Sequence, residues 1–145
     1  MPAASQLNVR IPSNTTEGLA VQERIIALME QHDYSMRDIF AMRLSLEEAI
    51  TNAIRHGNAG DPKKVVTVVA DVTDEKLRVV VQDEGEGFEP EDVPDPTSLE
   101  FIERPSGRGL MLMRAYLNFV EYSEGGTKIT MERNRNSELP IIDDD

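Results

Sequence analysis

The sequence contains no cysteine among its 145 residues. This absence excludes disulfides, thiolate-bound zinc and cysteine nucleophiles, and it fits a reducing compartment. No apolar run approaches the roughly 18 residues that a membrane-spanning helix needs, and the first residues lack the basic and apolar regions of a secretory signal. We therefore expect a cytoplasmic protein that makes no contact with a membrane.

Positive charge is also scarce, since 15 lysine and arginine residues stand against 27 aspartate and glutamate residues and the net charge is −12. Nucleic-acid backbones are bound by clustered lysine and arginine, so nucleic acid is not expected as a direct partner. Part of the negative charge lies near the end of the chain, and residues 135–145 are interpreted as an acidic, disordered tail. The length and the hydrophobic fraction of 39% fit one domain, which we place at residues 1–134.

Hydrophobic periodicity and capping residues predict three helices and five strands. These are a strand over Leu7–Ile11, helices from a cap at Ser13 or Asn14 to about His32 and from Ser35 to Gly57, a hairpin of Lys64–Val72 and Lys76–Gln82, a helix from Ser106 or Gly107, and a hairpin of Phe119–Ser123 and Thr127–Met131. The stretch from Asp83 to Pro105 is predicted to be a long loop of the kind that forms an active-site lid. Runs of strands and of helices predict an α+β fold, a two-layer sandwich with a mixed, mostly antiparallel sheet and helices on one face.

The second predicted helix carries a polar stripe. Glu48, Asn52 and His56 follow one another at four-residue steps, so they share one face of the helix. The opposite side of this helix is apolar and consists of Ile39, Met42, Leu46, Ala49 and Ala53. The third predicted helix has an apolar face that consists of Leu110, Met111, Met113 and Leu117. The stripe is either an ordinary solvated face or part of a site, and it favours a site only in combination with other motifs.

Two glycine-rich segments flank the predicted lid. The first, from Asp83 to Phe88, reads Asp-Glu-Gly-Glu-Gly-Phe and directly follows a strand. It is either a plain turn or a place where the backbone approaches a ligand while the carboxylate accepts a hydrogen bond from an amino group. The second, from Arg104 to Leu110, leads into a helix whose first N–H groups are suited to an anion, with Arg104 and Arg108 as local positive charge. The alternative for this segment is an ordinary tight start of a helix.

Taken in order, these motifs resemble the N, G1 and G2 boxes of the Bergerat ATP-binding fold. The pattern is Glu-x-x-x-Asn-x-x-x-His, then Asp-x-Gly-x-Gly, then Gly-x-Gly-Leu, then Gly-Thr between the last two strands, and it covers about residues 7–133. Gyrase, Hsp90, histidine kinases and mismatch-repair ATPases share this histidine-kinase-like fold. We expect neither a dimerisation helix pair nor a transducer domain here. The chain is therefore most similar to the single-domain anti-sigma-factor serine/threonine kinases, particularly over residues 89–96 and 104–114.

The resemblance implies roles for individual residues with ATP or ADP and Mg²⁺ as cofactors. Asn52 would be the protein ligand of Mg²⁺, Glu48 the general base, and Arg104 the residue that reaches the γ-phosphate. The other implied nucleotide-binding residues are Asp83 at the adenine amino group, Gly85, Gly87 and Thr127 beside it, and Gly107, Arg108, Gly109 and Leu110 at the phosphates. For His56 a structural hydrogen bond near the helix end and a part in the chemistry both remain open.

The resemblance also implies a function and partners. We expect a Mg-ATP-dependent protein kinase and anti-sigma regulatory factor that phosphorylates a serine of a small, STAS-type anti-anti-sigma protein, alternatively binds a sigma factor, and forms a homodimer. One alternative is a nucleotide-gated binding module with little or no turnover. Another is a general ATPase subunit or a detached catalytic domain of a histidine kinase.

Overall fold

The computed structural model describes residues 4–86 and 105–141, except for the side chains of residues 105–109. Its strands are β1 (Ala4–Pro12), β2 (Val65–Thr73), β3 (Lys76–Gln82), β4 (Phe119–Ser123) and β5 (Lys128–Asn134). Its helices are α1 (Thr15–Gln31), α2 (Met36–Asn52) and α3 (Pro105–Tyr116). No helix within the described residues is long and apolar enough to cross a membrane.

The five strands form one sheet in the order β1-β2-β3-β5-β4, and every neighbouring pair is antiparallel. Alternate residues of the central strands are buried beneath the helices, among them Val66 and Val68 of β2 and Val79 and Val81 of β3. This period of two is what a sheet covered on one face produces. The predicted α+β fold, with an antiparallel sheet and helices on one face, is confirmed.

Local capping explains where the first two helices begin. The Asn14 side chain accepts hydrogen bonds from the backbone N–H groups of Thr16 and Glu17 at 2.8 and 3.2 Å. The Ser35 hydroxyl accepts one from the backbone N–H of Asp38 at 3.1 Å. Each bond satisfies a donor that the first helical turn leaves free. Both predicted helix starts are confirmed.

The end of α2 differs from the prediction. The α-helix ends at Asn52, and Ala53–Gly57 form a π-helical turn in which the backbone N–H of Asn58 bonds to the Ala53 carbonyl at 2.9 Å. Gly57, the predicted end of the helix, ends this π-helical turn and is not among the residues with positive φ. A glycine is needed there because a Cβ atom would lie 2.3 Å from Cγ of Asp83.

The apolar face of α3 is narrower than predicted. Met113 and Leu117 are buried and Leu110 packs against the core, whereas Met111 is 47% exposed. Met111 lies 200° of helical rotation from Met113, since each residue turns the helix by 100°. Its hydrophobic character therefore did not indicate burial.

A buried ion pair joins the end of the sheet to the start of α2. Arg133 Nε lies 2.7 Å from Asp38 Oδ1, and both side chains are completely buried. The guanidinium also donates to the carbonyls of Tyr116, Ser137 and Leu139, at 2.6, 3.2 and 3.0 Å. These bonds supply the partners that a buried charge requires.

The C-terminal segment is held by the same pair. The backbone N–H of Asn136 donates to Asp38 Oδ2 at 2.9 Å, and Arg37 donates to the Pro140 carbonyl at 3.0 Å. These contacts lie within residues 135–141, and disorder of the acidic tail stays a prediction. Residues 142–145 lie outside the described residues.

Candidate active site

A cavity of about 450 Å³ opens between the C-terminal half of α2 and the ends of β3, β4 and β5. Its described lining consists of Ala49, Asn52, Ala53, His56, Gly57, Ala59, Lys64, Val81, Asp83, Glu86, Tyr122, Gly126, Thr127 and Ile129. The volume falls in the usual range of small-molecule sites, about 300–1,000 Å³. The sheet supplies an apolar floor and α2 supplies a polar wall.

The polar wall begins with Asn52 and Glu48. Asn52 Nδ2 donates to Glu48 Oε1 at 2.9 Å, one helical turn away. Asn52 lines the cavity, whereas Glu48 lines an adjoining groove between α2 and α3. Because the donor end of the amide is engaged by the carboxylate, its oxygen is the end that remains for a ligand in the cavity.

His56, the third member of the predicted stripe, is exposed at the rim of the same cavity. Within the part of the chain that the structure describes, its imidazole makes no hydrogen bond. The structural hydrogen bond considered for His56 is therefore not observed there, and the π-helical turn places the ring at the rim.

Asp83 also lines the cavity, immediately after β3. Its backbone N–H donates to the Thr127 carbonyl at 2.9 Å, and its Oδ1 accepts from the backbone N–H of Gly85 at 2.8 Å. Burial raises the pKa of this carboxyl above its ordinary value, against the smaller opposing effects of the Gly85 N–H and of Lys64. A partly desolvated carboxylate is a strong acceptor for an amino group that enters the cavity.

Gly85 is required by a contact within the protein. A Cβ atom at this position would lie 1.8 Å from the carbonyl oxygen of Gly57. Gly57 in turn leaves room for the Asp83 side chain. The first glycine motif therefore allows the loop after β3 to pack directly on the turn after α2, and this packing places Asp83 against the cavity.

Asn58 is a structural residue of the site that sequence reasoning missed. Its side chain is fully buried, and Nδ2 donates to Ser13 Oγ and to the Val65 carbonyl, both at 3.0 Å. Its Oδ1 accepts from the backbone N–H of Glu84 at 2.7 Å. One amide thus ties together the segment before α1, the start of β2 and the residue after Asp83. Only its place two residues after the N-box motif could have drawn attention to it.

Tyr122 of β4 is a second missed residue of the cavity. Burial raises the pKa of Tyr122 to about 12; the charges of Glu48 and Asp83 act in the same direction, and Arg114 opposes them. The phenol is therefore neutral at physiological pH. Alternation along β4 could have predicted that Val120 and Tyr122 face the helices, but not that Tyr122 lies at the cavity.

Thr127 is brought beside Asp83, as its place in the motif order suggested. Its hydroxyl donates to the Glu124 carbonyl at 2.8 Å, which closes the short turn between β4 and β5. Gly125 and Gly126 in that turn have φ of 69° and 90°, a conformation that glycine adopts without strain. The turn thereby presents Thr127 to the cavity.

The second glycine motif is only partly described. α3 begins at Pro105, so Gly107, Arg108, Gly109 and Leu110 all lie in its first two turns. The N–H groups of the first turn of an α-helix lack carbonyl partners within the helix, and they remain available to an anion. Gly87 and Arg104 lie outside the described residues.

The residues present fit a cation that is held mainly by a nucleotide. Among the residues that the structure describes, no group of three or more His, Asp or Glu side chains could enclose a metal ion. Mg²⁺ commonly takes one or two protein oxygens and completes its octahedron with phosphate oxygens and water. The free amide oxygen of Asn52 at the cavity matches that role.

Comparison with known proteins agrees with this geometry. The family model described as histidine kinase-like ATPase domain matches residues 11–133. An anti-sigma F factor of Clostridium perfringens is 33% identical over 133 residues, which cover 88% of this chain and 94% of the relative. One from Clostridium acetobutylicum is 36% identical over 117 residues, with 75% and 79% covered.

A solved structure shows the same fold. A chain in the crystal structure of the RsbU and RsbW domains of Rv1364c from Mycobacterium tuberculosis is similar with a TM-score of 0.62 at 18% sequence identity. The similarity covers 90% of this chain but only 32% of that one. At this identity the likeness concerns the fold alone.

Proposed function

Since this chain belongs to the histidine kinase-like ATPase domain family, and within it to the group that contains the anti-sigma F factors, we propose that it is a Mg-ATP-dependent serine/threonine protein kinase and anti-sigma regulatory factor. The observation that carries the proposal is the Glu48–Asn52 hydrogen bond at the wall of the cavity. It puts a carboxylate suited to proton transfer directly beside an amide suited to a cation.

In this proposal the cavity orients ATP between its two polar sides. Asp83 accepts a hydrogen bond from the adenine amino group, with Gly85, Gly87 and Thr127 beside it. Asn52 Oδ1 binds Mg²⁺, which neutralises phosphate charge when it is bound. The phosphates lie at the start of α3, where Gly107 presents a free backbone N–H, Arg108 contributes positive charge, and Gly109 and Leu110 follow.

The reaction is the transfer of the γ-phosphoryl group to a serine hydroxyl. The serine oxygen forms a bond to γ-phosphorus, the bond from phosphorus to the β,γ-bridging oxygen breaks, and ADP leaves. Glu48 accepts the hydroxyl proton on Oε2, since Oε1 is held by Asn52, and later releases it to water. Arg104 stabilises the charge on the transferred group.

The proposed protein partners follow from the relatives that are named anti-sigma F factor. They are a sigma factor, which the protein binds and withholds, and a small STAS-type anti-anti-sigma protein, which carries the acceptor serine. The active form is a homodimer.

Phosphoryl transfer from γ-labelled ATP to the cognate anti-anti-sigma protein tests the proposal. The wild type is expected to form acid-stable phosphoserine, and Glu48→Gln to lower kcat by about 10²- to 10⁴-fold because the general base is lost. Glu47→Gln is the matched control, since Glu47 is exposed and lies about 100° around the helix. Full transfer by Glu48→Gln would remove the assigned base, and acid-labile phosphoramidate would instead favour a detached histidine-kinase domain.

One observation favours a second candidate, a nucleotide-gated binding module with little or no turnover. One oxygen of the Glu48 carboxylate is already occupied by Asn52 in this structure, which leaves only the other oxygen for a substrate hydroxyl. This candidate predicts that the affinity for a sigma factor differs between the ADP and ATP forms while saturating ATP gives negligible transfer. Calorimetric titration with each nucleotide, alongside the transfer assay, distinguishes the two.

A further inference from the structure

A second concavity adjoins the cavity on the far side of Glu48. It is a groove of about 200 Å³ between α2 and α3, lined by Leu44, Ser45, Glu47, Glu48, Thr51, Leu112 and Met113. Leu112 is 48% exposed. In the proposed function the cavity and the start of α3 hold the nucleotide, so this groove is not needed for nucleotide binding.

Apolar side chains extend from this groove along both helices. On α2, Met36, Phe40 and Leu44 precede Glu48 at four-residue steps, which puts all of them on one slowly drifting stripe. Met36 is 87% exposed and Phe40 is 55% exposed. The Phe40 ring meets the Tyr116 ring of α3 edge-on, with 6.1 Å between the ring centroids. We call the stripe and the groove together the α2/α3 track.

The α2/α3 track ends at the carboxylate that is placed beside the nucleotide. Glu48 lines the groove, and its hydrogen-bonded neighbour Asn52 lines the cavity. A hydroxyl that is to meet both Glu48 and a γ-phosphate has to approach from the side that the nucleotide does not occupy. The groove is the opening on that side.

The charges of the α2/α3 track restrict what it accepts. Among the described residues that line the groove, the charged ones are the carboxylates of Glu47 and Glu48. An acidic side chain next to the incoming hydroxyl would be repelled by both, whereas apolar side chains would cover Phe40 and Leu112 and remove their exposed surface from water.

We propose, as an extension of the proposed kinase function, that the α2/α3 track binds the serine-bearing segment of the protein substrate. The segment carries apolar side chains beside the serine and no acidic one. Its apolar side chains lie against Phe40, Leu44 and Leu112, which directs the serine hydroxyl to Glu48. The track thus determines which serine is phosphorylated, separately from nucleotide binding.

The test compares Phe40→Ser and Leu112→Ser, singly and together, with the wild type. We expect KM for the cognate anti-anti-sigma protein to rise about tenfold or more in the double variant, with kcat and the affinity for ATP unchanged. Leu112→Met, which keeps apolar area, is expected to retain the wild-type KM. Phe119→Ser is the matched control, because Phe119 is 40% exposed on β4, on the sheet face away from the helices.

Each other outcome overturns the docking proposal. An unchanged KM in the double variant removes the track as a substrate site. A change in oligomeric state on sedimentation assigns the track to a second copy of the chain, and a weakened affinity for ATP shows that Phe40 and Leu112 support the nucleotide site instead.

A binding measurement separates the docking proposal from the proposed function. The affinity for the same protein is measured in the presence of a non-hydrolysable ATP analogue, where no transfer is required. If wild type transfers no phosphate but binding still weakens in the double variant, the kinase function fails and the docking surface stands. If wild type transfers phosphate and the double variant binds the protein with the wild-type affinity, the kinase function stands and the docking surface fails.

Discussion

Asp83 is held where the folded protein disfavours its charge. Burial raises the pKa of its carboxyl, and the N–H of Gly85 and the charge of Lys64 offset only part of that effect. The ionised form is therefore less favourable in the folded than in the unfolded chain. The residue lowers the stability of the protein at neutral pH in order to present a strong acceptor to the cavity.

Replacement of Asp83 by Asn tests whether the carboxyl lowers stability at neutral pH and strengthens the binding of ATP. For an acid whose pKa is higher in the folded chain than in the unfolded chain, protonation adds to the free energy of unfolding. This added stability is fully present below the pKa of the unfolded chain, near 3.8, and is lost as pH rises through the pKa of the folded chain. Asp83→Asn is therefore expected to be more stable relative to wild type at pH 7 than at pH 3.5, by urea unfolding at both. Its affinity for ATP is expected to fall by about 10- to 100-fold in calorimetry, since the neutral amide oxygen is a weaker acceptor for the adenine amino group than the carboxylate.

Two results would contradict this account of Asp83. A stability difference that is the same at both pH values would show that the carboxyl is not disfavoured by burial. An unchanged affinity for ATP would remove Asp83 from the adenine site, whatever its effect on stability.

The residues that were predicted from the sequence and those that were not differ in the sequence distance to their contact partners. Glu48 and Asn52 lie four residues apart on one helix, so their contact follows from helical geometry. Asn58 bonds to Ser13, which is 45 residues earlier, and to Glu84, which is 26 residues later. Such contacts depend on how the helices and strands pack, and no local sequence pattern predicts them.

At the scale of elements, the packing of the loop after β3 on the turn after α2 determines where the polar residues of the cavity lie. The π-helical turn Ala53–Gly57 ends α2, and the loop after β3 packs on it through Gly57 and Gly85. π-helical turns are rare and occur frequently at functional sites. Here the turn allows Asp83 to line the same cavity as Asn52.

Gly57→Ala is expected to displace Asp83, because the added Cβ would lie 2.3 Å from its Cγ. We expect a loss of about 1–3 kcal/mol of stability together with weaker binding of ATP. Gly60→Ala is the control: Gly60 has a φ of 68° and nothing within 4 Å of an added Cβ, so only left-handed backbone strain of about 1–2 kcal/mol is added. Urea unfolding and calorimetry should show destabilisation of both variants but weaker ATP binding only in Gly57→Ala. Equal ATP affinities in the two variants would argue against the contact.

Across the whole molecule, one buried arginine connects the end of the chain to the helices that carry the site. Arg133 pairs with Asp38 at the start of α2 and donates to the carbonyl of Tyr116 at the end of α3. It also holds the carbonyls of Ser137 and Leu139. The segment after β5 is therefore part of the fold.

Arg133→Met is expected to lower the free energy of unfolding by about 3–5 kcal/mol, because it leaves the Asp38 charge buried without its partner. Lys76→Met is the matched control on the same sheet. It breaks an ion pair with Glu132 in which the lysine is 48% exposed, and a loss below about 1 kcal/mol is expected. Urea unfolding of both variants measures the difference. Similar losses would show that the Asp38–Arg133 pair contributes no more than a surface contact.

The sequence by itself determined the elements and their class. Several features act over only a few residues and can therefore be recognised from the sequence alone. They are the caps Asn14 and Ser35, the period of two in β2 and β3, and the turn glycines between β4 and β5. The order of the motifs along the chain also indicated a nucleotide site. These features predicted an α+β fold and the closeness of Glu48 to Asn52.

Only the tertiary structure decided how these parts meet. Gly57 is a glycine because Asp83 lies against it, and Tyr122 joins the cavity because β4 pairs with β5. The carbonyls of Ser137 and Leu139 find their partner because Arg133 meets Asp38, 95 residues away. The physical reason is common to all three. Close packing and the pairing of buried polar groups involve residues distant in sequence, and their partners are defined only once the sheet and the helices have come together.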